Sequence, residues 1–238
     1  MKRMIRNAAT ALLVLAAGTA LAQAPKSPGS DGLVAVKAKQ VDQAWLLPGA
    51  DFRPYRKVLL KRAEVAFQKN WARDMSQQTG SRVAPRVTDE DAMKIIEVAR
   101  TGFDEIWAVA FKKVGYEVVS APGEGVLEVA PRVVDLYINA LDRPSTGISR
   151  TYTVQAGEAT LHMDVRDSRT GTLLGRVSDK RETMKTPTPQ MASSGKNASE
   201  FAQLFATWAV IAVKGLEELK ANSPMPETLK PGQKVPGK

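Results

Sequence analysis

Residues 88–113 read TDEDAMKIIEVARTGFDEIWAVAFKK, and this segment carries the strongest secondary-structure signal in the chain. Thr88, with Asp91 three residues later, forms an approximate capping box, which is typical of a helix start. Two lysines and Gly115 indicate where this helix ends, because cations and glycine are favoured at the carboxyl ends of helices. A helix of about 26 residues is about 39 Å long at ~1.5 Å per residue, so it spans a whole domain.

One face of this predicted helix is apolar, as expected for a helix that packs on a core. The members of this face are Ala92, Ile95, Ile96, Ala99, Phe103, Ile106, Trp107 and Ala110. Phe103 and Trp107 are large aromatic residues, and such residues at helical spacing belong to a core far more often than to a ligand site. We therefore expect both in the core.

A second amphipathic helix is predicted near the carboxyl end of the chain. It is expected to begin near Asn197, with Glu200 three residues later completing a capping box. Its apolar face consists of Phe201, Leu204, Phe205, Trp208, Ala212 and Leu216.

Strand-like patterns fill much of the remaining chain. They cover residues 57–67, 116–119, 126–139, 152–165 and 172–182, with 167–171 as a hairpin loop. Alternation is regular in the fourth segment, where Ala159, Leu161, Met163 and Val165 point one way and Thr160, His162 and Asp164 the other.

Pro131 interrupts the third strand segment. Proline has no N–H to donate to a neighbouring strand, so we predict that this strand lies at a sheet edge or carries a bulge at that point. Residues 71–87 and 185–196 are mixed or polar, and they are predicted to be surface connections.

Together these patterns predict an α+β domain in two layers. The sheet is expected to be largely antiparallel or mixed, with about five strands, and both long helices are expected on one of its faces. Residues 45–221 form this single domain. Residues 23–44 are predicted to be a flexible lead-in, and residues 222–238 a disordered tail, because prolines and polar residues dominate there.

The first 22 residues have the features of a secretory signal peptide. A positively charged start precedes an apolar run over residues 8–17, and Ala20 and Ala22 supply the small residues at −3 and −1. Cleavage is predicted between Ala22 and Gln23. The apolar run is too short for a membrane span, which needs roughly 20 apolar residues. We therefore predict a periplasmic protein with no integral membrane segment after cleavage.

Composition narrows the kinds of site that are open to this chain. It has no cysteine, which excludes disulfides, zinc sites built on thiolates and a lipid anchor on cysteine. His162 is the single histidine, so no multi-histidine metal site forms within one chain. We predict neither a metal nor a cofactor. The net charge of the full sequence, +9, overstates the charge of the processed protein, because the signal segment contains basic residues and no acidic ones.

Several short motifs occur in an order typical of one family. They are PGADF at 48–52 followed by Tyr55 and Val58, GYEVV at 115–119, VVDLY at 133–137, and AGE at 156–158. This pattern, from roughly Gly32 to Leu219, resembles the domain of unknown function 3313 family of bacterial envelope proteins. Many members look like lipoproteins, and this chain departs from them because it lacks the cysteine. The resemblance implies an envelope location and transfers no catalytic residue, because the family has no established activity.

Two candidate catalytic patterns are weak. Ser193 and Lys196 match the S-x-x-K pattern of penicillin-binding enzymes, but a glycine lies within the motif and Lys185-Thr186 is followed by proline instead of the glycine of K-T-G. His162 has Asp164 and Glu158 on its own strand face, where neighbours point outward in parallel and do not converge. A solvent-facing histidine is predicted. The sequence pattern singles out no pair of carboxylates as a catalytic pair. We predict that the protein is not an enzyme.

Basic residues cluster around the first predicted strand. They are Arg53, Arg56, Lys57, Lys61 and Arg62, and Lys180, Arg181 and Lys185 lie at the end of the hairpin. If these strands are neighbours, a positive strip could bind lipopolysaccharide phosphates, anionic lipid headgroups or an acidic partner. A solvated basic surface is the alternative. Nucleic acid is disfavoured by the compartment.

The leading functional prediction is an exported, non-enzymatic binding or accessory protein of the cell envelope. It would bind another envelope component through the sheet face that the helices leave uncovered or through an exposed strand edge. One alternative is a lipid or glycan carrier that uses the basic strip, and a second is a cell-wall hydrolase.

Overall fold

The computed structural model describes residues 31–78, 86–141 and 151–234. The predicted signal peptide, with Ala20 and Ala22, lies outside the described residues. Export therefore stays a prediction.

Eleven strands and three helices make up the described part of the chain. In order they are β1 (Val34–Lys37), β2 (Gln43–Leu46), β3 (Lys57–Leu60), β4 (Glu64–Phe67), α1 (Trp71–Gln78), α2 (Asp89–Lys113), β5 (Glu117–Val119), β6 (Val126–Ile138), β7 (Tyr152–Thr153), β8 (Gly157–Asp167), β9 (Leu173–Glu182), β10 (Gln190–Met191), α3 (Ser194–Ala221) and β11 (Gln233–Lys234). Mixed helix and strand content is confirmed.

Nine of these strands form one mixed sheet in the order β11-β1-β2-β9-β8-β6-β3-β5, with β4 also paired to β6. Its centre, from β2 through β9 and β8 to β6, is antiparallel, whereas β3 and β4 run parallel to β6. β7 and β10 pair separately. The predicted count of about five strands is wrong, because the extra strands are two to four residues long and too short to show a period.

The capping box of α2 is confirmed. Thr88 Oγ1 accepts a hydrogen bond from Asp91 N at 3.1 Å, and Asp91 Oδ2 accepts one from Thr88 N at 3.1 Å. Phe103 and Trp107 are buried on the inner face of this helix, as predicted.

The predicted cap of α3, Asn197, is wrong by four residues. Ser193 is the N-cap, and its Oγ accepts a hydrogen bond from Lys196 N at 3.1 Å. Asn197 lies inside the helix, where its side chain donates to Ala140 O at 2.7 Å. Glu200 also has a tertiary role, because its Oε2 accepts a hydrogen bond from Ala156 N at 3.2 Å.

The core lies between one sheet face and the helices. Alternate residues of β6 and β8, among them Val133 and Leu161, share it with the inner faces of α2 and α3. Phe103 and Phe205 join the two long helices there, with ring centroids 5.3 Å apart. The side chains of α1 enter the same core through Trp71. The layers are therefore a helical layer and a sheet.

Two predictions around the first strands are wrong. Residues 57–67 form β3 and β4 with a break between them, not one strand. Trp71 begins α1 instead of a surface connection, since its ring stacks on Phe67 at 3.7 Å and its Nε1 donates to Ile138 O at 3.2 Å. A short polar helix that buries one tryptophan gives little periodic signal.

Pro131 lies in the middle of the sheet, and neither an edge nor a bulge occurs at it. The strand β6 is paired on both sides, and its register shift falls between Val134 and Tyr137. Along its parallel side, β3 ends opposite Val129 and β4 starts opposite Arg132. Pro131 therefore lies at the break between two short strands.

The chain ends are more ordered than predicted. β1 and the start of β2 lie within the predicted lead-in, and residues 222–234 of the predicted tail pack on the domain. Met225 is 2% exposed, and its N–H donates to Ala50 O at 2.8 Å. Phe52 N donates to Ser223 Oγ at 2.9 Å. Two buried apolar residues among prolines, Met225 and Leu229, are enough to fix the segment, although its composition is that of a linker.

No described helix combines the length and the apolar character that a membrane crossing requires.

Candidate functional site

The sheet face opposite the helices carries polar side chains that are half-buried or exposed. We call it the open face, and it consists of Gln43, Trp45, Glu64, Glu128, Ala130, Arg132, Val134, Glu158, Thr160, His162, Asp164, Arg166, Arg176, Ser178, Lys180 and Glu182. These residues alternate along their strands with the residues of the core, which is why they face away from it.

Strand register aligns five polar side chains across the middle of the open face. This central row runs from β4 to β2 as Glu64, Arg132, His162, Ser178 and Gln43, each directly opposite the next. Because strands lie about 4.8 Å apart, the row extends over about 19 Å. The row is therefore long enough to contact an extended ligand.

The central row has unused hydrogen-bonding capacity. Within the described part of the chain, none of its five side chains forms a hydrogen bond or an ion pair. Arg132, His162 and Ser178 are half-buried in this state. Burial, followed by the charge of Arg132, lowers the pKa of His162 below its usual value, so its imidazole is neutral at pH 7.

The neighbouring row is held by ion pairs. Arg176 binds Asp164 through two hydrogen bonds, Nε to Oδ1 at 2.6 Å and Nη2 to Oδ2 at 3.1 Å. Arg166 donates to the same carboxylate at 2.9 Å, and Arg176 also contacts Asp31 at 3.1 Å. Burial favours the neutral form of Asp164, but the two arginines outweigh it and hold its pKa below the usual value. This row is a rigid platform beside the central row.

Trp45 stands at the end of the platform row. It is opposite Arg176 on one side and Ala35 on the other. The other three tryptophans, Trp71, Trp107 and Trp208, are each 1% exposed and belong to the core, whereas Trp45 is only half-buried. Its indole N–H has no partner among the described residues. A tryptophan in this position is typical of a binding surface.

The predicted basic strip is divided by the sheet order. β3 and β9 are separated by β6 and β8, so the cations around β3 do not adjoin Lys180, Arg181 and Lys185. Those three pair instead with Glu158, Asp179 and Glu182.

Carboxylates also neutralise part of the strip itself. Arg53 pairs with Asp51 at 2.7 Å, Lys57 with Glu117 at 3.4 Å, and Arg62 with Glu97. Arg56 and Lys61 are exposed and form no ion pair within the described residues. The strip therefore has a much smaller net charge than its five cations suggest.

The nominated catalytic groups have structural partners. Ser193 Oγ caps α3, and Lys196 Nζ donates to Gln190 Oε1 at 2.5 Å. The carboxylates nearest His162 along its strand are bound to cations, Asp164 to arginines and Glu158 to Lys180. Neither carboxylate is available to orient the imidazole as a base.

Residues 31–78, 86–141 and 151–234 contain no group of three or more side chains placed to hold a metal ion.

Sequence reasoning missed Trp45, Gln43, Glu64, Arg132 and Ser178 as site residues. The alternation in residues 152–165 did predict the outward direction of His162. The other members of the central row come from four other strands, and only the register of the sheet brings them together. The one available signal was a tryptophan two residues after Gln43 in the short segment Gln43–Leu46.

Comparisons with solved structures find distant similarity. The PelC dodecamer from Paraburkholderia phytofirmans is 10% identical, with a TM-score of 0.33, 70% of this chain covered and 96% of that one. Protein XCC0632 from Xanthomonas campestris is 14% identical, with a TM-score of 0.35 and coverages of 70% and 83%. A putative neuraminyllactose-binding hemagglutinin homolog from Helicobacter pylori is 9% identical, with a TM-score of 0.34 and coverages of 73% and 89%. Scores this low support no functional argument.

No curated protein matches the sequence. The family comparison is decisive, because the model of a protein family of unknown function, DUF3313, matches residues 26–210. This range includes most of the described domain and all the motifs on which the resemblance rested. The chain therefore belongs to the DUF3313 family.

Proposed function

We propose that this protein is an exported, non-enzymatic binding protein of the bacterial cell envelope, and that the open face holds its partner. The observation that carries the proposal is that a half-buried Trp45 lies beside a central row whose polar side chains have no partners among the described residues. Half-buried polar groups without partners gain most from a ligand that completes their hydrogen bonds.

The chemistry of the nominated groups supports binding over catalysis. A nucleophile needs a base oriented by a third group, and here the carboxylates beside His162 are held by cations. Ser193 is a helix cap. The hydrolase alternative therefore has no support from the residues that motivated it.

The alternative of a lipid or glycan carrier that uses the basic strip also loses support. Its two halves lie on strands that are not neighbours, and three of its five cations already have carboxylate partners. The envelope location rests on the features of residues 1–22 and on the resemblance described above.

Photo-crosslinking in the native host tests the proposal. A photoreactive amino acid replaces Gln43 on the open face, and in a matched strain it replaces Lys214, an exposed residue of α3. We expect a discrete adduct from position 43 after irradiation of whole cells, and none from position 214. Equal adducts from both positions, or none from position 43, would contradict a role for the open face.

Export is measured in the same strains. We expect the protein in the periplasmic fraction, with Gln23 as its first residue by mass spectrometry. An uncleaved protein in the cytoplasmic fraction would overturn the location.

A further inference from the structure

We infer that the ligand of the open face is a carbohydrate chain with little net charge, which stacks on Trp45 and hydrogen-bonds to the central row. This inference rests on the proposed function and narrows it to a class of ligand.

Trp45 offers the apolar part of such a site. Sugar rings present a face of C–H groups that packs on an aromatic ring, and the indole is the largest ring a protein supplies. Ala35 beside it is small and exposed, so the indole is not hidden from that side. Arg176 on the other side is fixed by Asp164 and Asp31, so it cannot fold across the ring without losing these bonds.

The central row offers both donors and acceptors. Arg132 only donates and Glu64 only accepts, while neutral His162, Ser178 and Gln43 each do both. A sugar hydroxyl also both donates and accepts, so a chain of sugars matches this mixture. A phosphate or carboxylate only accepts, and it would leave Glu64 without a donor.

The charges of the open face argue against an anionic ligand. Its cations are Arg132, Arg166, Arg176 and Lys180, and its carboxylates are Glu64, Glu128, Glu158, Asp164 and Glu182. Carboxylates are at least as numerous as cations, so the face has no positive field to attract an anion.

A protein partner fits this face less well than a carbohydrate does. Protein interfaces are poor in charged residues at their centre, where packing excludes water. The open face instead holds Arg132 at its centre, without an ion-pair partner among the described residues, and three further cations and five carboxylates surround it with few apolar side chains. Covering these groups with protein would desolvate them unless every donor met a matching acceptor.

The geometry of the sheet favours an extended chain. The row crosses five strands, three of which, β6, β8 and β9, are long and paired on both sides. Pairing on both sides fixes the backbones of these three strands, so the spacing of the side chains along the row is set before a ligand binds.

Titration of the full-length protein with defined oligosaccharides tests the inference. The probes are hexamers of N-acetylglucosamine, β-1,4-linked glucose and α-1,4-linked glucose, with heparin as the polyanion. Binding is measured by calorimetry and by tryptophan fluorescence. We expect at least one neutral hexamer to bind and to change the emission, because Trp45 is the half-buried indole.

Variants assign the binding to the open face. Trp45→Ala is expected to lower the affinity for the hexamer at least tenfold, and Arg132→Ala is expected to lower it severalfold. Trp45→Phe, which keeps a ring, is expected to retain part of the affinity and guards against a loss of folding. Tyr152→Ala removes an exposed aromatic residue from β7, and it should bind like the unmodified protein.

Three results would overturn the inference. The first is that no neutral hexamer binds at millimolar concentration, and the second is that heparin alone binds. The third is that a neutral hexamer binds the Trp45→Ala variant as tightly as it binds the unmodified protein. The crosslinked adduct from position 43 distinguishes a failure of the carbohydrate inference from a failure of the proposed binding function. An adduct that protease digestion shows to contain a protein partner keeps the binding function and rejects the carbohydrate.

Discussion

Asp179 Oδ2 accepts a hydrogen bond from Trp208 Nε1 at 2.8 Å, and this bond ties α3 to β9 inside the core. The same carboxylate accepts from Arg181 Nε at 2.6 Å, and its other oxygen accepts from Asp42 N at 3.0 Å. Asp179 is 2% exposed. One buried acid thus joins a helix, a central strand and the loop between β1 and β2.

Asp179→Ala is therefore expected to lower the free energy of unfolding by about 2–4 kcal/mol, because it leaves buried donors without an acceptor. Urea unfolding followed by circular dichroism measures the change. Glu182→Ala on the same strand removes an exposed ion pair with Lys185, and the resulting loss of stability should be much smaller than that of Asp179→Ala. Equal losses in the two variants would refute the structural role of Asp179.

Gly157 has no space for a side chain. A Cβ at this position would lie 1.8 Å from Tyr137 O and 3.0 Å from the Phe201 ring. The obstacle is backbone, so Gly157→Ala is expected to destabilise the fold by about 3 kcal/mol or more, or to prevent soluble expression. Gly215→Ala in the middle of α3 meets nothing within 4 Å and should be neutral or stabilising by up to about 1 kcal/mol. Thermal unfolding of both variants compares them directly.

Met225 anchors the carboxyl-terminal segment. Met225→Ala is expected to cost about 2–4 kcal/mol, as for other large apolar side chains removed from a core. Met93→Ala is the control, because Met93 is 70% exposed on α2 and its removal should change stability by less than about 0.5 kcal/mol. Urea midpoints report both. A Met225→Ala protein as stable as the Met93→Ala protein would mean that residues 222–234 do not contribute to the fold.

His162 makes stability depend on pH. Its pKa is lowered in the folded protein, first by burial and then by Arg132, so the unfolded chain takes up a proton more readily. The free energy of unfolding therefore has its full value above the pKa of His162 in the unfolded chain, about 6.5. It declines as the pH falls through the pKa of His162 in the folded protein. Asp135 and Asp164 act in the opposite direction, and Arg176 acts with Arg132.

Untagged protein tests this dependence, because His162 is the single histidine. We expect the free energy of unfolding to fall between pH 7.5 and pH 5.5. In His162→Gln this decline should be smaller. An identical decline in both proteins would assign the pH dependence to other groups.

The helices could be predicted from the sequence because their signals are local. The capping box of Thr88 and Asp91 and the spacing of the apolar residues lie within one continuous segment. In α3 the same reasoning found the apolar face but chose Asn197 as the cap, because Ser193 is preceded by a polar stretch that looked like loop. A cap motif alone does not distinguish a side chain that caps from one that binds a distant carbonyl.

The short strands and the site could not be predicted in the same way. β1, β2 and β11 contain two to four residues each, and their pairing depends on partners far along the chain. The central row has the same dependence, since Arg132, His162 and Ser178 are brought together by strand register. Alternation gives the face on which a residue lies, and it does not give the neighbour on that face.

The pairing of β11 with β1 has a consequence for the order in which the chain acquires its structure. Val36 pairs with Gln233, so nearly the whole polypeptide separates the two strands that complete this sheet edge. A ribosome or a translocation channel delivers β1 first, and β2 receives its other neighbour, β9, only when residues 175–178 have emerged. Until then these strands have unpaired backbone groups and exposed apolar residues, which invite wrong associations. This edge of the sheet can therefore be completed only after residues 233 and 234 have emerged.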